Sequence, residues 1–232
     1  MNDRTVVVTG GTRGIGRAVA ERFAADGATV VVGARDAHAV SETIEAFENL
    51  AGTATGLRTD VRDEFDVERL METASRTGES GGIDVVVACA GVYHGEAGNT
   101  PTQIETYSAF DDHWRTNARG VFATVKEALP HLNEGARVLV PSGRVAREGT
   151  AGYGSYAVSK ASAEAAVRAF GADTEFVVGC LDPGVVATEL SGGTGRDPAD
   201  VADMFYWAAT DAEPSLVQDG VVDLKTWKSA TR

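Results

Sequence analysis

Cysteine is scarce: Cys89 and Cys180 are the only two in 232 residues. Each sits in an apolar stretch with no Cys-x-x-Cys or Cys/His spacing, so zinc coordination is excluded and buried free thiols are expected. The four histidines, His38, His94, His113 and His131, show no paired ligand spacing, and no metal is assigned. No apolar run approaches the roughly 20 residues of a membrane-spanning helix. The N-terminal Met1-Asn2-Asp3-Arg4 passes directly into a strand-like run, without the zones of a signal peptide. A soluble, cytoplasmic protein without a membrane partner is the expectation. Basic charge is also scarce: 21 Lys and Arg face 34 Asp and Glu, for a net charge of -13, and only 4 of the 21 are Lys. Nucleic-acid partners are therefore excluded, because phosphate binding needs clustered cations. The acidic residues are spread along the chain. That pattern fits a salty cytoplasm, where the Debye length is about 3 Å at 1 M salt, and it also fits an ordinary acidic enzyme.

What is present reads as α/β. Apolar β-branched runs at Thr5–Thr9, 29–33, 55–59, 83–89, 136–141, 175–182 and 221–224 predict strands. Helical patterns are predicted from the glycine-rich turn to 26, and at 38–48, Glu64–Thr77, 111–129, 156–170 and 199–210. Strands that are apolar almost throughout are buried on both faces, and intervening helices make parallel crossovers. The predicted architecture is a Rossmann-like, doubly wound parallel sheet flanked by helices. Residues 1–232 are read as a single domain, since the length suits one core and no repeat or linker stands out. Loops are expected at 78–82, 94–106 and 191–198, the last two on the substrate side.

Thr9-Gly10-Gly11-Thr12-Arg13-Gly14-Ile15-Gly16 lies where the first strand gives way to the first helix. Glycines let phosphates approach the backbone, and unpaired N–H groups at the helix start carry partial positive charge. The turn therefore fits a dinucleotide diphosphate; a tight structural turn is the plainer alternative. Arg35 follows the second strand, where an acid would bind the ribose hydroxyls of NAD and an arginine can engage the extra phosphate of NADP. With Arg13 as a second contact, NADP(H) is preferred over NAD(H), unless both arginines are merely solvated and Asp36 pairs with one.

Tyr156-Ala157-Val158-Ser159-Lys160 places a phenol and an ammonium about one helical turn apart on one face. A tyrosine of pKa about 10 needs roughly 4 kcal/mol of phenolate stabilisation to fall by ~3 units, and a nearby lysine can supply much of it. On this pentapeptide alone, a packed tyrosine beside a snorkelling lysine would explain the pattern. From Thr5 to about Thr188, however, the chain resembles the short-chain dehydrogenase/reductase family. The landmarks are the TGxxxGxG-like turn, Asp60-Val61, Ala90-Gly91, Asn117, the YxxxK pair and Pro183-Gly184-x-x-x-Thr188.

This resemblance implies that Asp60 and Val61 frame the adenine and that Ala90 and Gly91 let the chain pass close to the cofactor. The loop of Pro183, Gly184, Val186 and Thr188 would contact the nicotinamide carboxamide. Lys160 would also hold the nicotinamide ribose, Asn117 would anchor a water leading from Lys160 to solvent, and Tyr156 would be the acid/base. Two departures stand out. Ala88 and Cys89 replace the asparagines of the family's NNAG motif. Counting back thirteen residues from Tyr156, the commonest spacing to the substrate-orienting serine, lands on Gly143; a one-residue expansion of the intervening loop would select Ser142, which is favoured. Ser155 is a weaker substitute that can instead cap a helix.

The expected function is hydride transfer between a nicotinamide cofactor and a small-molecule carbonyl or alcohol. The alternative is a catalytically weakened NADP-binding sensor or structural protein; an NAD-dependent sugar epimerase fits neither the length nor the glycine spacing. Tyr93, His94 and Tyr153 are candidate pocket residues. The resemblance further implies a homodimer or homotetramer through the helices carrying Asn117 and Tyr156.

Overall fold

Valine-rich strands dominate the architecture of the computed structural model, which describes residues 1–79, 81–218 and 220–231. The chain runs β1 (Thr5–Thr9), α1 (Gly14–Ala25), β2 (Thr29–Ala34), α2 (Ala37–Phe47), β3 (Thr53–Arg58), α3 (Glu64–Thr77) and β4 (Ile83–Ala88). It continues through α4 (Tyr107–His113), a π-helical segment (Trp114–Arg119), α5 (Gly120–Ala128), β5 (Leu132–Pro141), α6 (Gly154–Asp173) and β6 (Val177–Asp182). The last elements are α7 (Pro198–Thr210), α8 (Pro214–Gln218), β7 (Val221–Asp223) and α9 (Leu224–Ala230). Among the described residues the seven strands form one parallel sheet in the order β3-β2-β1-β4-β5-β6-β7.

Alternation along each strand splits the core in two. Val6, Val8, Val30, Val32, Val85 and Val87 pack with Val19 and Phe23 of α1 and Met204 and Phe205 of α7. Val7, Val31, Val86, Val138 and Val140 face the other way, against Leu70 of α3, Val121 of α5 and Val167 of α6. Both strand faces are thus apolar, which is why the strands read as continuous hydrophobic runs. Each fully buried valine contributes roughly 1.5–3 kcal/mol relative to exposure.

The strand order reverses between β1 and β4, opening a crevice beyond their C-terminal ends. The glycines make that crevice tight. Gly10 has φ +66°, and a Cβ there would lie 2.7 Å from Ala90 Cα; a Cβ on Gly16 would lie 2.3 Å from the Gly10 carbonyl oxygen.

Several boundaries differ from expectation. The continuous helix predicted over 111–129 starts earlier, at Tyr107, and widens into the π-segment, which carries Asn117 inward to bond Val92. The strand predicted at 136–141 begins at Leu132, and Leu224 belongs to α9 rather than to the last strand. Helices α8 and α9 were not predicted, because five and seven residues are too few to show a 3.6-residue period. In the predicted 94–106 loop, Thr102–Ile104 forms a 3-10 turn. Residue 80, in the predicted 78–82 loop, lies outside the described residues. No described helix is long and apolar enough to cross a membrane.

Candidate active site

A groove of about 1610 Å³ runs along the C-terminal ends of the strands. It is lined by Gly10, Thr12, Arg13, Gly14, Ile15 and Gly16 of the first turn, by Arg35, Val61, Ala90 and Gly91, and by Asn117, Ser142, Tyr156 and Lys160. Pro183, Gly184, Val186 and Thr188 close one side. Asp60, predicted to frame the adenine, does not line it.

At one end, α1 starts without a side-chain cap and without an acidic residue in its first turn. Gly14 (φ +54°) leaves room for Thr188, whose Cγ2 would be 3.0 Å from a Cβ at that position. An uncapped helix start beside a glycine turn fits an anionic diphosphate. Arg13 does not stand free, for its guanidinium pairs with Glu189 across the groove mouth. Arg35 makes no hydrogen bond or ion pair among the described residues, and Asp36 caps α2 by accepting from the His38 and Ala39 N–H groups instead of pairing with an arginine. Arg58, at the end of β3, also lines this region and pairs with Asp66; its run of weak strand residues gave no signal of a site.

The Asp60 carboxylate is held by Arg62, whose Nη2 lies 2.7 Å from Oδ2. Hydrogen bonding to Arg62 keeps that carboxyl below its ordinary value. Val61, rather than Asp60, therefore presents side-chain surface to the groove.

At the other end, the Tyr156 ring lies edge-on to Tyr93, with centroids 4.8 Å apart, and to His113, at 6.0 Å. Burial pushes the Tyr156 phenol up to about 12, with the neighbouring Tyr93 and Tyr153 phenols acting in the same direction. Lys160 Nζ donates to the Pro141 carbonyl at 2.6 Å, and burial lowers its pKa against the opposing pull of Cys180, Cys89, Glu164 and Asp182. Burial thus dominates the Tyr156 phenol in this structure and holds it protonated.

Asn117 is almost fully buried. Its amide donates to the Val92 carbonyl (2.9 Å) and Ser159 Oγ (3.0 Å), and Oδ1 accepts from the Val92 N–H (2.8 Å). Both amide hydrogens are therefore given to protein, and the side chain braces residue 92 against α6.

Ser142 lines the groove, but its hydroxyl donates to Glu164, which lies eight residues beyond Tyr156 and so about 12 Å along α6. Arg147 bridges Glu164 and Asp182. Ser142 and Tyr156 line the same groove, and in this structure a buried carboxylate takes the Ser142 hydroxyl. Gly143 is extended (φ -166°), and a Cβ there would meet only Val145 Cγ2, at 4.0 Å.

Tyr93 and Tyr153 line the groove, whereas His94 does not and instead pairs with Asp112 at 2.7 Å. Sequence reasoning missed Glu105, His113, Arg147 and Glu164 as neighbours of the site. A signal existed for Glu164, an acid four residues past Lys160 on the same helix face; Glu105 and Arg147 come from loops without any periodic pattern. Both thiols are pushed by burial up to about 12 and remain protonated.

Comparison with known proteins gives a consistent result. The family model for short chain dehydrogenase matches residues 4–199. Short chain dehydrogenase/reductase AacuN of Aspergillus aculeatus is 33% identical over 193 residues, covering 81% of this chain and 70% of its own. Tetrahydroxynaphthalene reductase PfmaG of Pestalotiopsis fici is 30% identical over 192 residues, covering 81% and 67%. A dehydrogenase/reductase structure from Sinorhizobium meliloti superposes with a TM-score of 0.84 at 26% identity, over 96% of this chain and 94% of that one. A short chain dehydrogenase from Burkholderia cenocepacia in complex with NADP has the same fold, with a TM-score of 0.85 at 24% identity over 97% of each chain. With the glycine turn, the Tyr156/Lys160 pair and a matching model over most of its length, this chain belongs to the short-chain dehydrogenase/reductase family and is an NAD(P)-dependent oxidoreductase.

Proposed function

We propose that the protein is an NADP(H)-preferring reductase of small-molecule carbonyls, with Tyr156 as the proton donor. The observation that carries this reading is the buried phenol of Tyr156, held protonated by its surroundings and lining the same groove as the uncapped start of α1. The first-turn amides and glycines would hold the diphosphate, and unpaired Arg35 would meet the ribose phosphate. When bound, the nicotinamide supplies the hydride.

Tyr156 orients the carbonyl oxygen by hydrogen bonding and delivers its proton as the alcohol forms. Lys160, anchored on Pro141, keeps positive charge beside the phenolate that remains, which eases its reprotonation. The groove walls hold the substrate carbon in place and limit water, as hydride transfer requires. With Ser142 committed to Glu164, Tyr156 is the principal donor to the substrate oxygen. That last feature also favours the second reading, a weakened NADP-binding protein, since one donor stabilises developing oxyanion charge less well than two.

NADPH consumption with a panel of aldehydes and ketones tests the two readings. Turnover is expected, with kcat/KM for NADPH above that for NADH and loss of activity in Tyr156→Phe. Tight NADPH binding without any turnover would select the weakened protein, and a strong NADH preference would remove the role of Arg35. We also infer a homodimer or homotetramer: Trp114, Phe122 and Val158 are each nearly half exposed on the π-segment, α5 and α6, the helices named from the sequence. Sedimentation of the intact protein checks this association.

A further inference from the structure

We propose that Glu105, His113 and Ser155 form a buried hydrogen-bonded clamp that sets the position of Tyr156, which makes them positioning residues for the reaction; the inference rests on the acid/base reading above. Helix α6 begins at Gly154, and its N-cap residue Tyr153 supplies no side-chain cap. The cap comes from fifty residues earlier in the chain. Glu105 Oε2 accepts the Ser155 backbone N–H at 2.6 Å, and Oε1 accepts the Ser155 hydroxyl at 2.7 Å. A carboxylate is favourable at a helix N-terminus. It also explains the glycine before it: Gly154 has φ +49°, and a Cβ there would lie 2.6 Å from Glu105 Oε2, so the carboxylate fills the space of a side chain.

His113, fully buried at the end of α4, fixes the direction of the protons. Its Nε2 accepts the His94 backbone N–H at 2.9 Å, so a neutral ring must carry its proton on Nδ1. Nδ1 lies 2.7 Å from Ser155 Oγ and 3.4 Å from Glu105 Oε1. Burial lowers the His113 pKa and His94 does the same, against the opposing pull of Glu105 and Asp112. The neutral ring gives one consistent order: His113 Nδ1–H donates to Ser155, whose hydroxyl donates to Glu105. The reverse order would set two N–H donors face to face at His113 Nε2.

Tyr156 is the next residue after Ser155. Its backbone is pinned through Ser155, while its ring rests edge-on against His113 and Tyr93. Tyr93 is itself fixed, its hydroxyl lying 3.1 Å from Thr100 Oγ1 and 3.2 Å from the Gly152 carbonyl. Three segments distant in sequence therefore converge on one phenol. A positional error of about 1 Å in an acid/base group costs turnover rather than binding.

The test uses the full chain with ring-labelled histidine and tyrosine for NMR, NADPH titration, and 9,10-phenanthrenequinone as the carbonyl probe. Glu105→Gln keeps shape but exchanges one acceptor for a donor, leaving the Ser155 hydroxyl proton without its acceptor; Ser155→Ala removes that hydroxyl. In the wild type, His113 is expected as the neutral Nδ1–H tautomer. In both variants the Tyr156 ring signals, identified by their loss in Tyr156→Phe, are expected to shift. NADPH affinity should stay within about twofold, and kcat should fall roughly 10- to 100-fold with KM little changed. The double variant should be no worse than Glu105→Gln alone, because both lesions break one chain. An Nε2–H tautomer in the wild type, or unmoved Tyr156 signals in both variants, would overturn the clamp. Full turnover in Tyr156→Phe would instead overturn the acid/base reading, and the NMR result would still decide the clamp.

Discussion

At the scale of single residues, the empty space at Gly143 has the sharpest consequence. An extended backbone accepts any side chain, and the nearest atom to a new Cβ is 4.0 Å away. Gly143→Ser should therefore fold normally and place a second donor in the groove, raising kcat about 10-fold on simple carbonyls; steady-state kinetics showing no gain would mean that position 143 does not face the reacting oxygen. Tyr156 gives a second expectation, with a definite sign. Its phenol is pushed up to about 12, so the protonated form needed for reduction is fully populated at neutral pH. The reduction rate should stay flat with rising pH until the phenol ionises, whereas alcohol oxidation, which needs the phenolate, should climb throughout. A reduction profile that falls through neutral pH would contradict the burial argument. The spacings of the glycine turn and of Tyr156 and Lys160 were legible because each lies within one local element. The partners of Ser142, Asp60 and Ser155 were not, because hydrogen bonds to Glu164, Arg62 and Glu105 depend on side-chain directions that no spacing records.

At the scale of elements, strand and helix alternation was readable since each strand is valine-rich and buried on both faces. The π-segment was not, because a single widened turn keeps the composition of the helix around it. Where elements meet, glycines carry the constraint. Helix α1 sits so close to the first turn that a Cβ on Gly16 would lie 2.3 Å from the Gly10 carbonyl oxygen and 3.1 Å from Cys89 Cβ. Gly16→Ala must push α1 off the turn, at a cost of roughly 1–3 kcal/mol for overpacking. For a chain of this length each kcal/mol lowers Tm by about 2–4 °C. Calorimetry should show that loss, and NADPH titration should show weaker binding, since the same shift displaces the first-turn amides from the diphosphate position. Unchanged Tm and affinity would mean that the close packing of α1 on the turn is relieved elsewhere.

At the scale of the whole molecule, charge is the property that the fold does not dictate. The chain carries -13, and among the described residues ten arginines are engaged in ion pairs, including surface pairs such as Arg13–Glu189 and Arg22–Asp203. Two salt effects then oppose each other. Screening weakens those pairs, but exposed pairs contribute only about 0–1 kcal/mol each. Screening also relieves the mutual repulsion of the unpaired carboxylates, which acts over a Debye length of about 30 Å at 0.01 M and about 3 Å at 1 M. Because the acidic residues outnumber the cations and spread along the chain, the repulsion reaches across the molecule while each pair acts only locally. Net stabilisation by salt is therefore expected: Tm and NADPH-linked activity should both rise from millimolar to molar KCl. If Tm instead falls steadily with KCl, local pairs outweigh the net charge, and the acidity belongs to an ordinary enzyme rather than to a salt-adapted one.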